Sequence, residues 1–435
     1  FRRVLFRSVI VKPFIGYLPS TQKIAEIVAP PYDVLDRNEA LEIGTEKPDS
    51  IIHITRPEID FPETVKSTED EVYKKGASNL RKWIEKNLLV KDEKPAFYIC
   101  SQKLGDHEQF GLFALCSCEQ YGQGIIKKHE QTRKVPELDR TITTKVQNAN
   151  VESVFLSYSN EKNSELNDYI KSLATGKPDR EAHLDFDNTA HKIWIVNDEE
   201  KIQKIENMFR KIDYLYIADG HHRSASAYNV YKERKEEAGD NFKGDEPFCY
   251  FLAAIFSDSE LCVIDYNRVI TGVKTPRDEI LEKIRQQGFE VHELKGDETP
   301  KTHSFIEFHY ARPVEKHTFS LYMQGKWFSL KFTGKYKSDN PVDQIDSKIL
   351  TDFVLTPLFG IVDLRAATNI KFFGGTRGLK ELEEQCKDPE NIAIAVPPIT
   401  LQQLFEVSNS GDMMPPKSTW FVPKLASGMI CRLVE

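Results

Sequence analysis

The residue types best suited to chemistry stand in one short segment between an apolar run and a helix-like run. In chain order they are Asp219, Gly220, His221, His222 and Arg223. Residues 214–218 before them predict a strand, and residues 224–231 after them predict a helix. Such a turn directs backbone N–H groups outward, and these groups can hold an anion such as phosphate together with an arginine fork. We favour this anion site over a helix start whose polar side chains only face solvent.

A second group of ionisable residues lies in the segment 122–140, whose polar composition predicts a loop rather than core. The group contains His129 and Glu130 and is followed by Arg140. It is not the zinc-binding helix motif His-Glu-x-x-His, because position 133 is arginine. His129 and Glu130 could form an acid–base pair, or Glu130 could bind magnesium beside a phosphate. A solvated charged loop is the alternative.

Two further turns carry weaker signals. Lys417, Ser418 and Thr419 follow a rigid double proline and could position phosphate oxygens or a metal. No P-loop glycines precede them, and an ordinary turn into a strand is the competing interpretation. Residues 372–378 also join a strand, a glycine turn and a helix, and there a tight connection that needs glycine is the favoured interpretation.

The elements that must position these residues fall into two regions. A chain of 435 residues predicts two or three domains. Strand and helix patterns without a strict βαβ rhythm predict a mixed α/β domain over residues 9–272. The pattern resets near residue 272, which predicts an α+β domain over residues 273–435 that contributes Lys417. Residues 1–8 are much more basic than the segment after them, so we interpret them as a non-native or truncated start and exclude them.

Some local patterns give specific expectations. An amphipathic helix is predicted for residues 70–87, and a strand for the apolar run 51–55. Residues 304–310 also predict a strand, and residues 248–256 and 261–265 predict a strand pair.

Composition limits the classes of function. The net charge of −8 without a basic domain argues against a nucleic-acid binder. No apolar stretch approaches the roughly 20 residues that cross a bilayer. The seven cysteines are scattered without zinc-ligand spacing, which predicts buried free thiols in a reducing cytoplasm.

Several of these motifs together resemble the uncharacterised family called domain of unknown function 1015. The resemblance rests on segments at 11–14, 29–34, 128–132, 139–140, 218–223, 267–270, 414–421, 423–425 and 427–428. They span nearly the whole chain in order. The family supplies no settled activity.

The segment 219–223 is also similar to the phosphate-binding turn of the ParB/sulfiredoxin-like superfamily, especially its free-serine kinases. This second resemblance covers only the five residues and their strand–helix context. It implies a ParB/sulfiredoxin-like mixed-sheet core, with a further α+β domain toward the C-terminus. It also implies that the turn holds nucleotide phosphates, with Mg²⁺ and ATP or ADP as cofactors.

Phosphoryl transfer to a small hydroxylated metabolite such as serine is the function that these resemblances favour. Arg223, His221 and His222 would hold the transferred phosphate, and Lys417 or Arg140 would add positive charge. The magnesium ligand would be Asp219 or Glu130. The proton acceptor would be a carboxylate, with Glu26 and Glu130 as rivals, and His129 and His222 as further candidates for acid–base work.

Two other functions remain open on these residues. One is a nucleotide-binding regulatory module of the ParB type without turnover. The other is a metal-dependent hydrolase that uses His129, His221 and His222, although their spacing is not that of a metal site. We expect a small-molecule substrate and a nucleotide as partners, and neither nucleic acid nor membrane.

Overall fold

The computed structural model describes residues 8–296, 304–306 and 308–434. Two compact units make up the chain. The first contains the described residues up to Lys127, residues 132–261 and the segment from Pro423 onward. The second contains residues 128–131 and 262–422.

Up to residue 261, the described residues of the first unit form twelve strands and nine α-helices, and the segment from Pro423 onward adds one more strand. The strands are β1 Val11–Lys12, β2 Tyr17–Pro19, β3 Leu89–Lys91, β4 Phe97–Leu104, β5 His107–Ser117, β6 Ile126–Lys127, β7 Ala149–Asn150, β8 Val154–Tyr158, β9 Arg180–Leu184, β10 Thr189–Val196, β11 Leu215–Asp219 and β12 Tyr250–Ser257. The helices are α1 Ile24–Ile27, α2 Arg37–Glu46, α3 Ile52–Thr55, α4 Asp70–Glu85, α5 Cys118–Gly122, α6 Lys134–Gln147, α7 Ser164–Leu173, α8 Glu199–Phe209 and α9 His221–Ala238.

A nine-stranded mixed sheet forms the centre of the first unit. Its order is β6-β11-β8-β12-β5-β4-β10-β9, with β1 also paired to β5. The pairs β11–β6 and β12–β8 are parallel and the other pairs are antiparallel. Strand β12 is apolar and buried over nearly its whole length, as expected for a central strand covered on both faces. Each large apolar side chain buried in this core contributes roughly 1.5–3 kcal/mol.

The second unit contains β13 Cys262–Ile264, β14 Tyr266–Ile270, β15 Phe289–Glu293, β16 Thr318–Met323, β17 Lys326–Phe332, β18 Ile370–Gly374, β19 Ile392–Ala395 and β20 Trp420–Val422. Its helices are α10 Arg277–Gln286, α11 Asp346–Leu350, α12 Thr356–Phe359, α13 Gly378–Gln385 and α14 Leu401–Ser410, with one π-helical turn at Thr351–Leu355. Six strands form an antiparallel sheet in the order β15-β17-β16-β19-β14-β18. The last strand, β21 Arg432–Leu433, pairs with β7 in the first unit.

The predicted mixed α/β class is confirmed, and so is the helix predicted from residue 70. The division of the chain falls earlier than the break that the sequence indicates at residue 272. Strand β14 pairs with β18 and β19 of the second unit, which local sequence does not reveal. The segment after Pro423 returns to the first unit, whereas Lys417 lies in the second.

Four local predictions are wrong. Residues 52–55 form helix α3 instead of a strand, and residues 134–140 of the predicted loop 122–140 belong to the start of α6. Strand β13 pairs with β20, so it forms no pair with β12. The described residues within 304–310 include no strand. The proposed non-native start lies almost wholly outside the described residues.

Candidate functional site

The Asp219–Arg223 turn joins the end of β11 to the start of α9. A register shift between Ile217 and Asp219 in the β11–β8 pairing marks a bulge, which is a common way to re-aim a side chain at a strand end. Gly220 follows with φ 92° and ψ 32°, a left-handed conformation that glycine adopts without strain. The helix begins at His221, three residues earlier than the sequence pattern indicates. The two histidines and Arg223 therefore form the first turn of the helix.

The first turn of α9 contains no acidic residue, and no side chain caps it. The positive end of the helix dipole is consequently not neutralised by a carboxylate on its own first turn. Because α9 is 18 residues long, its dipole is fully developed. This end of the helix is electrostatically suited to an anion.

Asp219 lies between two cations. Its Oδ2 accepts a hydrogen bond from Lys424 Nζ at 3.0 Å and lies 4.0 Å from Arg223 Nη2. Its Oδ1 accepts from the Gly220 amide at 2.8 Å. Burial would raise the pKa of the Asp219 carboxyl, but the charges of Lys424 and Arg223 outweigh burial and hold that pKa well below its ordinary value. Asp219 is therefore ionised and acts as the counter-ion of the turn.

Arg223 is folded back over the turn that precedes it. A Cβ placed on Gly220 would come within 3.1–3.2 Å of the guanidinium group. The Nη1 atom donates to the carbonyl oxygen of Ser153, and only 11% of the side chain is exposed. Burial alone would lower the pKa of Arg223, but Glu152, Asp219 and Asp33 raise it overall. The arginine is thus held in one place and is permanently charged.

A second arginine lies close to the same cluster. Arg140 on α6 donates to Asp139 Oδ2 at 2.9 and 2.7 Å, and its guanidinium carbon lies 4.4 Å from the ring centre of Tyr32. A cavity of about 40 Å³ is lined by Arg140, Arg223 and Glu152, among others. Glu152 accepts from the Tyr32 amide at 3.2 Å and from Ser427 Oγ at 2.6 Å. The fold therefore concentrates two arginines beside the start of α9.

Asp33 is a carboxylate that sequence reasoning did not select. Two prolines precede the short 3₁₀ turn Tyr32–Val34. They restrict the backbone before this turn, and so they help to fix the position of Asp33. Asp33 is exposed, and its charge acts on both Arg223 and Tyr32. It is therefore an accessible carboxylate next to the arginine of the turn.

The two histidines of the turn differ in environment. His221 is only 7% exposed. The Nε2 atom of His222 accepts a hydrogen bond from the Arg133 amide at 3.1 Å, which places the proton of the neutral ring on Nδ1. Nearby, burial would raise the pKa of Glu137, but hydrogen bonds from Thr132 and Asn229 outweigh the effect of burial and lower that pKa. The Nε2 atom of His222 is thus already engaged in a hydrogen bond with the backbone at Arg133.

The remaining predicted residues lie elsewhere. Glu26 is on α1 of the first unit, where it pairs with Lys23 at 2.7 Å on the surface. His129 and Glu130 belong to the second unit, where the His129 carbonyl accepts from the Met414 amide at 2.8 Å. The sequence prediction that these residues serve one site together with the Asp219–Arg223 turn stays a prediction.

Lys417, Ser418 and Thr419 also lie in the second unit. Lys417 has a positive φ of 61°, which is uncommon for a residue with a side chain. Its carbonyl accepts from Arg268 Nη2 at 3.2 Å, and Ser418 Oγ lies 2.7 Å from Ser347 Oγ. The turn is thus fixed by contacts within its own unit.

Metal-binding and membrane-spanning features are not found in the described residues. No group of three or more histidines, cysteines and acids there could hold a metal ion. All seven cysteines are buried and free. Across residues 8–296, 304–306 and 308–434, no helix has the length and apolar character to cross a membrane.

Gly220 offers a direct test of how the turn holds Arg223. We expect Gly220→Ala to lower the free energy of unfolding by roughly 1–2 kcal/mol, because alanine is strained at positive φ and its Cβ would press on the guanidinium. Gly411→Ala is the matched control, since Gly411 has φ 83° and ψ 6° with open space around it. Urea unfolding of both variants measures the cost. A smaller loss for Gly220→Ala than for Gly411→Ala would contradict the contact with Arg223.

A sequence model of the family described as "Protein of unknown function (DUF1015)" matches residues 11–348. No functionally curated protein matches the chain in sequence. Among solved structures, a mutant free serine kinase in complex with AMP is 14% identical, with 71% of this chain and 87% of that chain covered and a TM-score of 0.33.

Two other solved structures are similar to a comparable degree. A conserved hypothetical protein from Pyrococcus furiosus is 15% identical over 74% of this chain and 95% of that chain, with a TM-score of 0.33. SbnI from Staphylococcus aureus, truncated at its C-terminus, is 8% identical over 72% and 85%, with a TM-score of 0.34. At these identities and TM-scores the likeness assigns no activity to this chain.

Proposed function

This chain belongs to the family described as "Protein of unknown function (DUF1015)", and we propose that it is a small-molecule phosphotransferase. It moves a phosphate from a nucleotide to the hydroxyl group of a free amino acid of the serine type or of a similar metabolite. The observation that carries the proposal is the guanidinium of Arg223, folded over Gly220 at an N-terminus of α9 that has no acid in its first turn.

The geometry around Arg223 is better suited to binding the phosphate of a nucleotide than to forming a further ion pair with a carboxylate of the protein. Arg223 already has Asp219 as counter-ion, and Asp219 is in turn paired with Lys424. A phosphate at the start of α9 would meet a fixed guanidinium fork and the positive end of a helix dipole. Both groups are in place before the ligand arrives, so little reorganisation is needed.

The proposed reaction is an in-line displacement at phosphorus. The acceptor oxygen forms the new P–O bond, the bond from phosphorus to the bridging oxygen of the nucleotide breaks, and the nucleotide leaves with that oxygen. The hydroxyl proton passes to a carboxylate. Arg223 stabilises the negative charge on the transferred group.

Asp33 is the carboxylate that we assign to accept the proton. It is exposed, it stands on a rigid turn, and its charge acts on Arg223. Glu26 fits this role less well because it is paired with Lys23 on the surface.

Asp219 does not fit the role of magnesium ligand, since its two oxygens are engaged by Lys424, Arg223 and the Gly220 amide. Magnesium usually enters phosphoryl-transfer sites bound to the nucleotide and keeps several waters. We therefore treat the magnesium nucleotide as the substrate and assign no resident metal to this turn.

The base is tested by replacing Asp33 with asparagine. We expect Asp33→Asn to lower the rate of serine phosphorylation about a hundredfold, because general-base catalysis contributes typically 10²–10⁴-fold. Nucleotide affinity should change by less than about threefold. Product is measured by mass spectrometry, and affinity by calorimetry with ATP and ADP.

Glu26→Gln is both the control and the rival in that experiment. It removes a carboxylate that pairs with Lys23 and should leave the rate unchanged. Loss of activity in Glu26→Gln with full activity in Asp33→Asn would assign the proton to Glu26 instead. If the unaltered protein binds no nucleotide, the proposed phosphotransferase function is wrong.

One observation favours a nucleotide-binding regulatory module instead. The cavity beside Arg223 has a volume of about 40 Å³, so it offers no enclosed space for an acceptor molecule beside a phosphate group bound at the start of α9. A module of this kind would bind ATP or ADP and form no phosphorylated product from any hydroxylated amino acid. Calorimetry combined with the product assay separates the two functions.

A further inference from the structure

A row of buried polar side chains crosses three neighbouring strands of the sheet in the first unit. Gln109 on β5, Gln102 on β4, and Thr189 and His191 on β10 are each no more than 3% exposed. Burying such groups is costly unless they are hydrogen-bonded to one another or to the backbone. Their presence in the middle of three paired strands therefore needs an explanation beyond packing.

The hydrogen bonds in this row have one consistent direction. Gln109 Nε2 donates to Gln102 Oε1 at 2.7 Å, and Gln102 Nε2 lies 3.4 Å from His191 Nδ1. Thr189 Oγ1 lies 2.9 Å from His191 Nε2 and donates to Asp187 Oδ1 at 2.6 Å. Because the threonine proton goes to the carboxylate, the histidine Nε2–H donates to Thr189 and Nδ1 accepts from Gln102. The orientation of the Gln102 amide is thereby fixed.

The same Gln102 amide reaches the candidate site. Its Nε2 also donates to the carbonyl oxygen of Lys424 at 2.9 Å, across 322 positions of the sequence. Lys424 is the residue whose ammonium group binds Asp219 Oδ2 at 3.0 Å. Residues 424–426 belong to no helix or strand, and the next backbone pairing of this segment is the bridge between Ala29 and Ser427.

We propose that Gln102 is a positioning residue, which fixes the backbone at Lys424 so that the lysine stays on Asp219. This inference rests on the proposed function, because it gives the buried row a purpose in holding the anion site together. Lys424 reduces the charge that Asp219 presents to a phosphate and leaves the guanidinium of Arg223 available. Without the hydrogen bond from the Gln102 side chain, the backbone at Lys424 can take up more positions. Asp219 is then less well paired with Lys424 and competes with the phosphate for Arg223.

Gln102→Leu removes the donor while approximating the size of the side chain. The matched control is Gln109→Leu, which breaks the same row at Gln102 Oε1 without touching Lys424. Gln102→Leu removes the hydrogen bonds to Gln109, His191 and Lys424, whereas Gln109→Leu removes those to Gln102 and His107, so Gln102→Leu should lose more stability in urea unfolding. Lys424 is therefore compared under conditions in which the unfolding curves show both variants to be fully folded, so that a difference between them reports positioning and not general stability.

The first readout does not depend on any nucleotide. The ammonium group of Lys424 is ion-paired and 16% exposed, so acetic anhydride should label it slowly in the unaltered protein. We expect the labelling rate at Lys424, followed by peptide mass spectrometry, to rise about tenfold in Gln102→Leu and less than about twofold in Gln109→Leu. Equal rates in the two variants would overturn the proposal.

The second readout is a double-mutant cycle on ADP affinity with Lys424→Met. We expect Gln102→Leu alone to weaken ADP binding about tenfold and to add less than about twofold when Lys424 is already methionine. Additive losses would show that Gln102 acts independently of Lys424, which also overturns the proposal. If the unaltered protein does not bind ADP but Lys424 labelling responds as expected, the proposed function fails and the positioning role stands.

Discussion

Arg223→Ala is expected to weaken binding of ATP and ADP at least a hundredfold. A bidentate arginine–phosphate contact consists of hydrogen bonds to charged groups, each worth about 1.5–3 kcal/mol, and a hundredfold loss corresponds to about 2.7 kcal/mol. The side chain is already held by Ser153 and Asp219, so the unaltered protein spends little entropy in ordering it for a ligand. Calorimetric titration with each nucleotide measures the loss.

Two companions keep the Arg223 experiment interpretable. Arg223→Lys retains the charge but not the planar fork, so we expect an intermediate loss of about tenfold. Arg210→Ala removes an exposed arginine of the same unit that lies 3.4 Å from Asn207 and should leave affinity unchanged. Unfolding curves must show that all three variants remain folded. Unaltered affinity in a folded Arg223→Ala variant would remove the basis of the anion site.

The contiguous part of the candidate site was open to prediction from sequence. The Asp219–Arg223 segment lies between two strongly patterned elements, and a glycine between a strand and a helix indicates a turn on its own. The strand is shifted by one residue from the prediction, and the helix begins at His221 and not after Arg223. Polar residues at a helix N-terminus resemble loop residues, and ends of elements are the least certain part of such a prediction.

The other part of the site depends on contacts between distant segments. The Tyr32 amide meets Glu152 across 120 positions, and Lys424 meets Asp219 across 205. Neither pairing leaves a local pattern, which explains why Asp33, Glu152 and Lys424 were missed. The one sequence feature that indicates this part of the site is the pair of prolines before Tyr32. It predicts a rigid segment but does not identify the residues that the segment contacts.

Fold errors have the same origin. The run Ile51–Thr55 is rich in β-branched residues and predicts a strand, but a short apolar run that is buried on all sides also suits a helix. Strand β13 lies close in sequence to β12 and yet pairs with β20, because the boundary between the two units falls after Leu261. Local periodicity identifies an element more reliably than its partner.

Charge balance around the turn explains why the site needs a lysine as well as two arginines. Three carboxylates, those of Glu152, Asp219 and Asp33, act on Arg223. Together they carry more negative charge than the single positive charge of the guanidinium. Lys424 offsets Asp219, and Arg140 acts on Glu152 as well as on Asp139. The arginine of the turn therefore keeps enough positive potential for an incoming phosphate, while the unbound protein avoids an uncompensated buried charge.

The buried histidine of the polar row leads to the largest expected effect on stability. Burial in the sheet, with a smaller contribution from His183, lowers the pKa of His191 from 6.5 to about 4. In the unfolded chain the imidazole keeps its ordinary pKa. Between the two pKa values the imidazole is therefore protonated in the unfolded state and neutral in the folded state. The contribution of His191 to stability is therefore complete above about pH 6.5 and is lost as the pH falls toward 4.

His191→Gln should remove this dependence, because glutamine does not titrate and can still accept from Gln102 and donate to Thr189. A pKa lowered from 6.5 to about 4 corresponds to about 3 kcal/mol, of which about 2 kcal/mol is lost between about pH 7 and about pH 5. We expect the unaltered protein to lose that much more unfolding free energy than His191→Gln over this interval in urea titrations. His183→Gln, which changes a half-exposed histidine, should follow the unaltered protein within about 0.5 kcal/mol. Parallel stability curves for the unaltered protein and His191→Gln would show that His191 accepts a proton in the folded sheet, and the single direction assigned to the hydrogen bonds around Gln102 would then be wrong.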